Sequence, residues 1–175
     1  METNTLKILQ IVKVLSWIVF IGLCITAGAV AVTFLISLFV NPAVAGDLYQ
    51  KLDLSDLYSF GIGHYIAIGL LMILLTVLKA VIFYLVIRIF KNLDINKPFS
   101  FETAMLTRII SYVAFAAGLI AMAANGYTEW LIGQGVAMQK DWAGTEWLFL
   151  AGIIFVVAII FTRGVELQSE HELTI

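Results

Sequence analysis

The chain has 175 residues, of which 62% are hydrophobic and only 13% charged, and its mean hydropathy is +1.02. A soluble domain of this length cannot hide that much apolar surface, so a water-soluble globular protein is excluded and an all-α integral membrane protein is expected. The formal net charge of −2 is unevenly spread along the chain, and a single cysteine, Cys24, rules out an intramolecular disulfide.

About 20 apolar residues carry a helix across a ~30 Å hydrocarbon core. Four stretches meet that need, at about 14–40, 65–87, 105–125 and 147–163. Between them lie two outer loops, 41–64 and 126–146, an inner hinge at 88–104 and a tail at 164–175, all within a single domain. Backbone groups in lipid are satisfied within a segment, so these unbroken runs are predicted to be four transmembrane helices in an antiparallel bundle. Lys7, Lys13, Arg88, Lys91, Lys97, Arg108 and Arg163 flank one set of span ends. The opposite loops carry Lys51 and Lys140 against Asp47, Asp53, Asp56, Glu129, Asp141 and Glu146. By the positive-inside rule the termini and the hinge are expected in the cytoplasm and the acidic loops outside, in a cytoplasmic membrane.

Taken in order, the chain opens with Lys7, Gln10 and Lys13 on one stripe, the wet face of an entering helix that Asn4 or Thr5 is placed to cap. Ala43-Val44-Ala45 resembles a signal-peptidase site, but the apolar run before it is about twice too long, so no cleavage is expected. Gly22, Thr26, Ala29, Thr33 and Ser37 recur at steps of three or four, a small-residue stripe suited to close helix packing; a polar conduit is the sharper alternative. Cys24 reads as a packing residue. In the first outer loop Leu48, Leu52, Leu57 and Tyr58 suit a short surface helix. Asp53, Asp56 and His64 fit no metal-site spacing and are read as solvated surface.

Lys79 is the ionisable residue set deepest in an apolar run, and an intramembrane charge is a functional candidate by default. Thr76 shares its helical face. Two destinations are open: the aliphatic stem carries the ammonium out to the headgroups, or Lys79 serves a substrate, an ion or a gate. The other spans offer no Asp or Glu to pair with it.

In the hinge, Pro98 biases the preceding residues away from helix, Ser100 is placed to cap the third span, and Glu102 suits its first turn. Phe99 and Phe101 flank that cap. The third span repeats the small-residue pattern at Ser111, Ala114, Gly118, Ala121 and Asn125, so the first and third spans are expected to contact each other or a second copy. Tyr127, Trp130, Trp142 and Trp147 read as an aromatic belt at the outer interface. Gly164 is placed to close the last helix, leaving an acidic tail that carries Glu166 and Gln168.

No phosphate loop, metal-binding helix or nucleophile elbow is present, so no enzyme activity, metal or cofactor is expected. The basic hinge residues are those the topology already requires, and direct nucleic-acid binding is not expected.

Phe90-Lys91-Asn92-Leu93, Lys97-Pro98-Phe99-Ser100, Leu106-Thr107-Arg108-Ile109, Arg163-Gly164-Val165-Glu166-Leu167-Gln168 and Glu172-Leu173-Thr174-Ile175 together resemble the bacterial membrane proteins grouped as domain of unknown function 2975. That resemblance implies a four-span bundle without assigned activity, often encoded beside a small helix-turn-helix regulator. The chain departs from the usual pattern at Phe101-Glu102-Thr103 and at His171. The expected function is a non-enzymatic sensor or tether. Its cytoplasmic surface, drawn from Arg88, Lys91, Lys97, Pro98, Phe99, Arg108, Arg163, Glu166 and Gln168, would engage such a regulator. The alternative is a subunit of an oligomeric transporter or channel working through the Lys79 and Thr76 face.

Overall fold

A computed structural model describes residues 2–48, 52–93, 100–138 and 142–172, with side chains described from 7 to 168. The described residues form α1 (Glu2–Phe39), a 3-10 helix (Pro42–Gly46), α2 (Ser55–Phe60), α3 (Ile62–Asn92), α4 (Phe101–Gly133) and α5 (Gly144–Glu172). Strand pairing among them is limited to one isolated bridge, Leu48 to Leu52. The architecture is all-α, and four helices, α1, α3, α4 and α5, are long and apolar enough to cross a membrane. The chain is a multi-pass membrane protein.

Each neighbouring pair of long helices is antiparallel. Phe34 stacks on Tyr65 and Phe20 meets Tyr84, which fixes α1 against α3. His64 bonds Tyr127 and Arg88 meets Glu102, which fixes α3 against α4. Gly118 lies under Leu148, and Arg108 reaches Thr162, which fixes α4 against α5. The order across the molecule is therefore α1, α3, α4, α5, an open row with α1 and α5 at its edges. Burial follows the same order: 11% of the apolar window of α1, 33% of α3, 44% of α4 and 11% of α5 is inside.

This arrangement corrects one expectation. Among the described residues α1 packs along α3 and makes no backbone-level contact with α4, so the first and third spans are not partners within one chain. The physical reason lies in what each helix presents. Gly69 on α3 leaves a notch into which the Phe34 ring fits, because a Cβ there would stand 2.2 Å from a ring carbon. The small residues of α4 are taken up by α5: a Cβ at Gly118 would meet Leu148 at 2.7 Å, and one at Gly144 would meet the Met122 backbone nitrogen at 2.8 Å. In lipid, where helices gain nothing by hiding apolar area, such close approach supplies the packing energy.

Two ends can be distinguished. At the hinge end α3 leads into α4. At the cap end the connections fold back onto the helices: Leu54 donates its N–H to the Ala45 carbonyl, and Ala45, Leu48, Leu54 and Leu57 are buried with Phe34 and Tyr65. Leu48 and Leu52 pair with each other as a bridge, so the surface helix is confined to Ser55–Phe60, shorter than expected. α4 ends in a Schellman motif, with Val136 N–H on the Leu131 carbonyl, Gly135 N–H on Ile132, and Gly135 at φ 92 as that turn requires.

Helix limits differ from expectation in three places. α1 already runs from Glu2, so Asn4 and Thr5 lie inside it rather than capping it. α4 continues to Gly133, taking Tyr127 and Trp130 out of the loop. Gly164 does not close α5, which runs on to Glu172, so most of the expected tail is the last turns of a helix. An interior glycine costs about 1 kcal/mol relative to alanine, which an established long helix absorbs.

Candidate functional site

The hinge end is assembled from short-range chemistry. Ser100 stands extended at φ −111 and ψ 148, and its Oγ accepts from the Thr103 N–H at 3.1 Å, capping α4 as its sequence suggests. That cap places Glu102 in the first turn, where its carboxylate accepts from Asn92 Nδ2 at 2.6 Å and lies 3.6 Å from the Arg88 guanidinium. The last turn of α3 is thus tied to the first turn of α4. Both charged partners are about half exposed, 48% and 51%, so this pair positions the corner more than it stabilises it.

One step along, Arg108 donates to Thr162 Oγ1 at 3.2 Å, bracing α4 on α5. Arg163 pairs with Glu166 at 2.7 Å within α5. Lys91 is exposed, Gln168 is half-buried, and Leu167 presents an apolar side chain at 61% exposure near the end of α5. The structure therefore gathers Arg88, Lys91, Arg108, Arg163, Glu166 and Gln168 at one end. Lys97, Pro98 and Phe99 lie outside the described residues.

Lys79 meets an aromatic side chain from another span. Its Nζ sits 5.5 Å from the centroid of the Trp147 ring on α5, within cation–π range. A side chain leaves its helix toward the N-terminus, so Lys79 runs toward the cap end, away from Arg88. The aromatic face replaces a carboxylate as the partner of the ammonium. Thr76 donates to the Met72 carbonyl at 2.8 Å, which satisfies its hydroxyl within α3. Both residues are half-buried.

The two small-residue faces have different fates. On α4, Ser111, Ala114, Gly118 and Ala121 are all buried. On α1, Ser37 is buried and Thr26, Ala29 and Thr33 are half-buried, but Gly22 is exposed with nothing within 4 Å of its Cβ position. The seat of α1 is Val30, Phe34 and Ser37, a rotation of the expected stripe that brings the Phe34 ring into the Gly69 notch. Cys24 is exposed rather than packed.

At the cap end the polar side chains engage one another in ways sequence reading missed. Ser37 donates to the Phe34 carbonyl at 2.7 Å, leaving its oxygen to accept from the buried Tyr65 hydroxyl at 2.5 Å. His64 shares a hydrogen bond with Tyr127 at 2.5 Å and packs beside Phe60 and Trp130. Trp142, placed in the interfacial belt by sequence, is instead buried, its Nε1 donating to Thr128 Oγ1 at 2.9 Å. The available signal was Asn125 and Thr128, two polar side chains three residues apart that can accept hydrogen bonds from a folded-back loop. Asp53 accepts from the Ser55 hydroxyl at 2.6 Å and from its N–H at 2.9 Å, bonds that hold its carboxyl below the ordinary range. Among the described residues no group of His, Cys, Asp and Glu side chains converges as a metal site.

A family model described as "Protein of unknown function (DUF2975)" matches residues 64–175, a stretch that begins in α3 and takes in α4 and α5 but not α1. No curated protein and no solved structure matches the chain.

Proposed function

The chain belongs to the DUF2975 family of unknown function, and from that membership and its hinge-end geometry we propose a non-enzymatic sensor or tether that binds a cytosolic helix-turn-helix regulator. In this reading the hinge end faces the cytoplasm and the cap end faces out, in a cytoplasmic membrane, with charge distribution as the support. The observation that carries the proposal is the continuation of α5 past Arg163 to Glu172, with Leu167 exposed at the hinge end one turn beyond Arg163. A helix end bearing an apolar side chain amid charges suits a partner helix better than it suits water. The braces from Arg88 to Glu102 and from Arg108 to Thr162 hold that surface in a fixed shape. Packing of Lys79 on Trp147 favours a structural role for that residue over a transport pathway.

The test compares membranes carrying the full chain, a chain ending at Arg163, and Leu167→Asp. The full chain is expected to retain a helix-turn-helix protein, identified by mass spectrometry and rebound in purified form, with at least about tenfold loss in both variants, the effect of removing one central apolar anchor. Equal retention by all three would overturn the proposal.

A further inference from the structure

An open groove runs between α1 and α3, lined by Phe20, Cys24 and Ala27 on one side and Val77, Val81 and Tyr84 on the other. Its lining is almost wholly apolar, and it lies within two helices long and apolar enough to span a membrane. What sets it apart from any lipid-facing furrow is where it leads. With 3.6 residues per turn, Val77, Val81, Tyr84, Arg88 and Lys91 fall within about 40° of one line along α3, and Lys13, Phe20, Cys24 and Ala27 do so along α1. Phe20 and Tyr84 face each other at 5.9 Å and set the register of the two helices. From that pair, Lys13 on α1 and Lys91 on α3 are the same two turns distant, about 10 Å, toward the hinge end. The backbone positions of Lys13 and Lys91 therefore flank the mouth of the groove at one height, with Arg88 one turn from Lys91 toward the cap end. Lys91 is exposed and Lys13 half-exposed. Arg88 shares Glu102 with Asn92, which leaves part of its guanidinium open.

We infer that this groove is a binding site for an anionic glycerophospholipid, one acyl chain lying between α1 and α3 and the phosphate held by Lys13, Lys91 and Arg88. The apolar channel matches an acyl chain, and the charge at its mouth matches a phosphate at headgroup depth. A zwitterionic lipid brings its own cation to the same place and loses that advantage.

The experiment is native mass spectrometry of the detergent-solubilised full chain titrated with phosphatidylglycerol or phosphatidylcholine of equal chain length. The wild-type chain is expected to hold phosphatidylglycerol about tenfold more tightly, and the double variant Lys13→Gln/Lys91→Gln to lose that preference while still binding phosphatidylcholine. Ala27→Leu, which narrows the groove and leaves the charges in place, is expected to weaken both lipids alike. Glycerol phosphate at the same concentrations is expected to displace neither. A preference that survives the double lysine variant would overturn the site. So would absence of preference in the wild type, or displacement of phosphatidylglycerol by glycerol phosphate, which would indicate a headgroup site without the groove.

Discussion

Gly69→Val is expected to unseat α1 from α3 and to lower the stability of the solubilised protein by about 1–3 kcal/mol or more, the range for forcing extra carbon into a packed core. Three atoms of the Phe34 ring lie 2.2, 2.6 and 2.6 Å from where the first added carbon would stand. A flexible side chain could swing away from such a clash. Phe34 is held: it is 4% exposed, its ring stacks on Tyr65 at 5.2 Å, and Tyr65 is itself fixed by Ser37 on α1 and Tyr58. The displaced ring must therefore carry α1 with it. Thermal unfolding in mild detergent measures the loss. Phe34→Leu provides the control, since a smaller side chain vacates the notch. The double variant should be less destabilised than the sum of the two single changes, and strict additivity would mean the two residues do not meet.

Trp142→Ala is expected to cost about 3–5 kcal/mol in the cooperative unit at the cap end, as for other buried large-to-small aromatic changes. Trp142 is 5% exposed and holds its connection onto α4 twice, through Nε1 to Thr128 and through its backbone N–H to Asn125 Oδ1 at 3.1 Å. The neighbouring Ala143 adopts φ 54, a left-handed conformation that the surrounding contacts must maintain. Trp142→Phe keeps most of the ring and removes the Nε1 donor, so its cost should fall near that of one hydrogen bond, about 0.5–1.5 kcal/mol. Hydrogen exchange at the buried Val136 and Met138 separates the two cases: fast in Trp142→Ala, near wild type in Trp142→Phe. Equal protection in both would remove Trp142 as the anchor.

How much of this could be read from sequence divides along a physical line. The Ser100 cap and the place of Glu102 in the first turn were legible because each depends on chemistry within a few residues. The four spans were legible because lipid demands long unbroken apolar helix. Span ends were less so: the third span was expected to end near 125 and the last at Gly164, yet α4 runs on to Gly133 and α5 to Glu172. Pairing between spans was not legible. The small-residue stripe of α1 gave an approximate face, but the partner was fixed by one aromatic ring and one distant glycine, Phe34 and Gly69. Lys79 illustrates the same limit. Its helical face was clear, but its partner, Trp147, lies two helices away in the chain and belonged by composition to an interfacial belt.

A cytosolic partner can reach the hinge end only if that end faces the cytoplasm. In a Cys24→Ser background, single replacements Lys91→Cys and Leu167→Cys mark the hinge end, and Ser59→Cys and Gly133→Cys mark the cap end. All four positions are exposed. Treated with a membrane-impermeant maleimide in intact cells, the cap-end pair is predicted to label at once and the hinge-end pair only after permeabilisation. Labelling of Lys91→Cys and Leu167→Cys in intact cells, with the cap-end pair protected, would contradict it.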